Sequence, residues 1–318
     1  MNETTRQLIV HKVKHNTKRL ITSIKWVIFS IVVGIVAGSC GTAFYFALSV
    51  VTDFRMKYPW LIYFLPIGGL VIVGLYHLCR DDNDTGTNLV ISAIHSGDKV
   101  PFRMAPLIFV STLITHLFGG SAGREGAALQ MGGSIGSSIG RVFRFDEKDK
   151  HVMIMCGMSA AFSALFGTPM AAAVFSMEVV SVGIMYYAAL VPCVISSIIA
   201  SEFAANFGIH PESFHVVDIP DLTVETGLKM VLVAVACAAI SIIFCMTLQG
   251  ISKLYTKYFK NPYIRIVAAS AIIIAITLLL RTTDYMGAGN NLIELAIEEG
   301  QTRPLDFFWK ILLTALTM

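Results

Sequence analysis

The chain has 318 residues, 55% of them hydrophobic and only 14% charged, with a formal net charge of +3 and a mean hydropathy of +0.70. That much apolar surface exceeds what a soluble domain of this length needs for its core, and so small a positive charge argues against a nucleic-acid surface. The composition therefore predicts an all-α polytopic membrane protein.

In chain order, the first feature is basic. His11, Lys12, Lys14, His15, Lys18, Arg19 and Lys25 precede the first apolar stretch, with Glu3 the one acid. The positive-inside bias places this N-terminal segment, 1–20, in the cytoplasm. The apolar run that follows is longer than a signal-peptide h-region and lacks a small-residue cleavage site, so it reads as a retained helix. Windows long enough to cross a hydrocarbon core of roughly 30 Å fall near 24–50, 60–78, 104–118, 151–166, 169–187, 188–206, 228–250 and 263–280. A glycine-rich helix is expected after Glu125. Segments 87–95, 290–298 and 305–318 read as helices too short or too polar for a simple span.

A polar stretch from Gly208 to Gly227, with Pro211, Pro220 and several acids, divides a first membrane block, 21–207, from a second, 228–318. In each block a Gly/Asn turn leads into a short apolar helix: Thr85-Gly86-Thr87-Asn88-Leu89-Val90-Ile91 and Gly287-Ala288-Gly289-Asn290-Asn291-Leu292-Ile293. A basic-aromatic connector follows each, Lys99 to Arg103 and Arg303 to Phe307. Paired interrupted segments are the expected trace of internal repeats in a transporter. Cys40, Cys79, Cys156, Cys193, Cys237 and Cys245 show no CxxC or Cys–His ligand spacing and read as small packing residues. No metal and no cofactor is expected.

The sharpest chemistry lies in Gly119-Gly120-Ser121-Ala122-Gly123-Arg124-Glu125-Gly126, a charged pair between apolar stretches. An ionisable residue there points to a pathway, a partner or a water-filled cavity. A helix beginning near Arg124 leaves its first amide hydrogens unpaired and its positive dipole end facing the turn, which suits a desolvated anion. The Glu125 carboxylate competes for those donors when ionised and withdraws when protonated, linking proton and anion occupancy. The structural alternative is a local Arg124–Glu125 charge pair at a helix end. Arg124 is expected to anchor loop carbonyls or a carboxylate, because a full charge beside the ion would trap it. His116 reads as a satisfied packing histidine, with titration near neutral pH as the other possibility. Gly132, Gly136 and Gly140 read as a close-packing stripe.

These residues carry a resemblance. Gly123-Arg124-Glu125-Gly126, with Gln130-Met131-Gly132-Gly133 downstream, resembles the Gly-Arg-Glu-Gly-Pro and Gln-x-Gly-Gly segments of the CLC anion channels and proton-coupled transporters. Phe166-Gly167-Thr168-Pro169-Met170-Ala171-Ala172 is similar to that family's Phe-Asn-x-Pro-x-Ala-Gly helix start, and Phe175-Ser176-Met177-Glu178 to its acidic helix. The resemblance runs on through Gly289 to Ile293 and covers nearly the whole chain. It implies an inverted-repeat fold of tilted and partial helices, a multi-pass homodimer in the cell membrane, an anion pathway in each subunit, and Glu125 as the external gating glutamate. The implied ions are fluoride or chloride, with protons. The departures point to the fluoride-exporting branch. The turn Gly86-Thr87-Asn88-Leu89-Val90 replaces the family's Gly-Ser-Gly-Ile-Pro, Ala127 replaces the proline after the gate, and Val179 stands where chloride exchangers carry an internal glutamate, with Glu178 one residue before it. The candidate anion site is Gly86, Thr87, Asn88, Arg124, Gly126 and Ala127, and Glu178 is a possible proton-pathway residue. Thr87 and Asn88 offer hydroxyl and amide donors to a strongly hydrated ion, while Asn88 as a helix cap and Thr87 as a turn former is the alternative.

A chloride channel or chloride/proton exchanger is the competing function. The rival from another class is an intramembrane hydrolase, since Gly119 to Gly123 and Gly132 to Gly136 both satisfy Gly-x-Ser-x-Gly. Glycine richness between membrane helices accounts for both matches, and no enzymatic activity is expected. The chain stops at Thr317-Met318 inside an apolar segment, where the resemblance next requires a second-half anion loop. A truncated second repeat of a longer protein is the expectation.

Overall fold

The computed structural model describes residues 3–79, 90–92, 94, 100–180, 186–211, 221, 223–298, 300 and 302–317, and these contain helices and no strand. The helices are α1 (Glu3–Lys57), α2 (Leu65–Leu78), α3 (Met104–Leu117), α4 (Glu125–Val142), α5 (Glu147–Phe166), α6 (Pro169–Glu178), α7 (Leu190–Ala205), α8 (Val224–Tyr258), α9 (Pro262–Leu280), α10 (Asn290–Glu298) and α11 (Asp306–Thr317). Short 3-10 turns, Pro59–Phe64 and Tyr187–Ala189, lead into α2 and α7. Five stretches are long and apolar enough to cross a membrane: Arg19–Lys57, Pro59–Leu78, Tyr187–Ala205, Val224–Tyr258 and Pro262–Leu280.

Most expected elements are present, and the differences have local causes. Within the expected span at 169–187, the helix runs from Pro169 to Glu178 and gives way to a turn at Val179 and Val180, with 181–185 outside the described residues. The β-branched pair Val179-Val180 follows, and a carboxylate in the last turn opposes the helix dipole. The helix expected at 87–95 is seen in residues 90–92 and 94, the rest lying outside the described residues. Helices α1 and α8 extend beyond the expected windows because flanking polar residues continue the helix.

The chain forms two compact units: 1–45, 84–109 and 125–211 in one, 46–83, 110–124 and 212–318 in the other. In the first, α5 packs against α4, α6 and α7. The α4–α5 crossing is built on backbone. A Cβ added at Gly132 would overlap the Gly157 carbonyl, one at Gly136 the Met153 carbonyl, and one at Gly157 the Gly132 carbonyl. Among the three glycines of the expected stripe, Gly140 has more room: an added Cβ would come no nearer than 3.3 Å, to the Lys150 side chain. Serines knit α5 to α7: Ser159 donates to Cys193 O, Ser196 to Cys156 O and Ser163 to Ser197 O, at 2.8–3.1 Å. Cys156 and Cys193 are buried at this crossing, whereas Cys237 and Cys245 are exposed on α8 and do not pack within the fold as expected.

Asp146 caps α5 by accepting from the Asp149 N–H at 2.8 Å, and Lys25 pairs with Asp149 and lies over the Phe145 ring. Asp146→Ala is expected to lower stability by about 1 kcal/mol. The thermal midpoint of the detergent-solubilised protein measures this, with the exposed Lys148→Ala as the silent comparison.

In the second unit, α9 packs on α2 and α11, and α8 packs on α11. Its core is Leu65, Tyr255, Ala269, Ile273, Tyr285, Leu313 and Leu316.

Candidate functional site

Helix α3 stops because Gly119 turns back at φ 82°, a conformation that L side chains rarely adopt. The Gly120 N–H then reaches back to Thr115 O at 2.9 Å, satisfying one of the helix's last carbonyls. After four intervening residues, 121–124, the chain re-enters a helix with Glu125 as the first residue of α4. Glu125 is exposed, Gly126 and Ala127 are half-buried, and from Ala128 onward the helix is largely buried. The first-turn N–H groups of α4 therefore lie where the helix emerges from the packed unit. Gly126 adds no side chain to that first turn.

Arg124, half-buried, ends the stretch assigned to the second unit, and Glu125 begins a stretch of the first. Contiguity thus brings Arg124, Glu125, Gly126 and Ala127 together. Gly86, Thr87 and Asn88 lie outside the described residues. Glu178 is exposed at the C-terminal end of α6, and Val179 follows it. At the other end of that helix Thr168 is exposed and makes no capping bond, with Pro169 in the first turn.

Neither serine of the Gly-x-Ser-x-Gly matches lies on a strand-to-helix elbow. Ser134 is inside α4 and donates to Pro101 O at 2.7 Å. Ser121 is in the loop before α4, and its hydroxyl pairs with Thr314 Oγ1 at 3.0 Å and accepts from Lys310 Nζ at 2.9 Å.

That contact belongs to a cluster that no sequence motif announced. Asp306, Lys310, Thr314 and Thr317 recur at spacings of four, four and three, which places them on one face of α11. Asp306 accepts from the Tyr285 hydroxyl at 2.6 Å, and Lys310 donates to Tyr285 O at 3.1 Å and Gly287 O at 2.5 Å. Thr317 Oγ1 accepts from the Ser121 N–H at 3.0 Å. Gly287 N–H donates to Gly120 O at 3.0 Å, joining the two loops directly. Gly287 itself has φ 64° and faces Arg55, whose guanidinium donates to His116 O at 3.3 Å. His116 is buried as expected, and its Nε2 meets no hydrogen-bond partner among the described residues, so the expectation of a fully satisfied histidine is not met there. A signal for this cluster was present: a lysine amid Phe307-Phe308-Trp309 and Ile311-Leu312-Leu313 needs a partner in a membrane.

Comparison with known proteins follows the same lines. The family model for voltage gated chloride channels matches residues 68–318. A chloride/fluoride channel protein of Pseudomonas syringae pv. tomato is 41% identical over 186 residues, 58% of this chain and 41% of that protein. The H(+)/Cl(-) exchange transporter ClcA of Cronobacter sakazakii is 26% identical over 240 residues, 70% of this chain and 51% of that protein. The chain thus spans about half the length of these curated relatives. Among solved structures, a CLC-type fluoride/proton antiporter superimposes with a TM-score of 0.87 at 33% identity, covering 92% of this chain and 75% of that one. A slow cyanobacterial Cl-/H+ antiporter shares the fold, with a TM-score of 0.76 at 19% identity over 92% of this chain and 73% of that one.

Proposed function

We propose a transport function from one premise: this chain belongs to the voltage gated chloride channel (CLC) family. It moves fluoride across the cell membrane in exchange for protons, with Glu125 as gate and proton carrier. The observation that carries this reading is Glu125 at the exposed, donor-rich first turn of α4. Ionised, its carboxylate takes the amide hydrogens that an anion would use. Protonated, it has no charge to hold it there, and the anion takes its place. Anion and proton then occupy the site alternately, which is the requirement for exchange. Arg124 holds the loop, Gly126 and Ala127 supply backbone donors, and Gly86, Thr87 and Asn88 supply the rest of the site. Glu178 has a secondary place in proton movement.

Fluoride is favoured by the relative named a chloride/fluoride channel and by the likeness to a fluoride/proton antiporter. Val179 in place of an acid supports the same choice. Chloride/proton exchange is the second reading, favoured by the relative named for it. Under either reading residues 1–20 are cytoplasmic, 21–207 and 228–318 belong to two membrane repeats joined by 208–227, and two copies form a homodimer with a pathway in each.

Proteoliposomes loaded with fluoride or chloride test this. Fluoride efflux faster than chloride efflux, with proton uptake in step, is the expected result. Chloride efflux at an equal or greater rate overturns the fluoride assignment, and anion flux without proton movement overturns the exchange.

A further inference from the structure

Lys310 carries a charge into an apolar helix and uses it on protein groups. Its ammonium donates to Ser121 Oγ, Tyr285 O and Gly287 O among the described residues. Its stem lies against Gly289, where an added Cβ would come within 2.9 Å of Lys310 Cε. One helix face therefore grips two loops at once. Asp306 and Lys310 hold Tyr285 by its hydroxyl and its carbonyl, while Lys310, Thr314 and Thr317 hold Ser121 by its hydroxyl and its amide. The loop so held, Gly119 to Arg124, is the one that delivers the chain to Glu125.

Resting on the transport reading above, we propose that Lys310 is a positioning residue for the gate: its ammonium clamps the glycine loop at Ser121 and thereby fixes where α4 begins. A loop with three glycines in its first five residues has little stiffness of its own. Without the clamp, two carbonyls and a hydroxyl lose a charged donor, and Glu125 starts each cycle from a spread of positions. Three of the hydrogen bonds this charge makes go to the two loops, so the role assigned to it is exerted through the loop.

Ser121→Ala, Lys310→Met and the double variant test this by two measurements. Hydrogen–deuterium exchange in residues 119–124 is expected to rise about tenfold in each single variant, with the interior of α4 unchanged. Turnover at saturating fluoride is expected to fall about tenfold with little change in KM, since misplacement of a reacting group acts on the rate. The double variant is expected to match Lys310→Met, because both changes break one clamp. Loop exchange that stays at the wild-type rate in Lys310→Met overturns the proposal, as does a raised KM at unchanged turnover, which would make Lys310 an ion contact. Should Lys310→Met fail to fold, Ser121→Ala decides alone. The exchange measurement needs no transport, so a wild-type protein that moves no anion refutes the transport reading, while loop exchange still decides whether Lys310 holds Ser121.

Discussion

Glu125→Gln is expected to cut proton movement per anion by about 10²-fold, read as lost proton uptake during anion efflux from proteoliposomes. Glutamine keeps the shape of the protonated side chain and removes the titration, so the site can no longer alternate between carboxylate and anion. Glu125→Asp retains a titratable group one methylene shorter and is expected to keep measurable coupling. The competing account makes Glu125 a structural acid at the start of α4, partnered by Arg124 and the helix dipole. Under that account glutamine costs about 0.3–1 kcal/mol of stability and leaves coupling intact. The two accounts therefore differ in which measurement moves as well as by how much. Coupling unchanged in Glu125→Gln sinks the gate assignment.

The largest effect on stability is expected at the α4–α5 crossing. Gly136→Ala and Gly157→Ala each drive a methyl into a carbonyl of the facing helix, Met153 O in one case and Gly132 O in the other. Backbone cannot rotate out of the way as a side chain can, so the helices must separate. Each substitution is expected to cost about 3 kcal/mol, the upper end of ordinary overpacking. The monodisperse fraction recovered in detergent and the thermal midpoint measure it. Gly140→Ala is the comparison, because its new methyl meets the flexible Lys150 side chain at an ordinary, slightly tight distance. A loss of less than about 1 kcal/mol is expected there. Equal losses at Gly136 and Gly140 would mean that helix propensity or lipid exposure, not the backbone crossing, governs this stripe.

Several of these features were legible in the chain before any coordinates. Hydropathy marked the long helices, since a lipid-facing surface must be apolar along its whole length. The glycine run marked Glu125, because a charge between apolar stretches has few bland explanations. Glycines at four-residue spacing marked a close-packing face, met at Gly132 and Gly136, while the identity of α5 as the facing helix was not readable from the spacing. The premature end of α6 was less legible, because Val179 and Val180 are apolar enough to extend a hydropathy window although they are poor helix formers. The α11 clamp was hidden for another reason. Its own face could be read from Asp306, Lys310, Thr314 and Thr317, yet Ser121 lies 189 residues from Lys310, and periodicity carries no information across such a distance. His116 shows the same limit: burial followed from its apolar neighbours, while the fate of Nε2 depended on the surrounding fold.

The two helices that cross so closely, α4 and α5, are not among the five stretches apolar enough to span a membrane alone. Glycine and serine make α4 slim, and its buried face meets protein rather than lipid. Entry into a bilayer depends on the apolar character of a segment when it is first offered to the membrane. Joined by only residues 143–146, these helices are expected to enter as a hairpin or to wait for lipid-facing neighbours to shelter them. The helix that begins at Glu125 is therefore expected to rely on its packing partners for entry into the bilayer as well as for its stability.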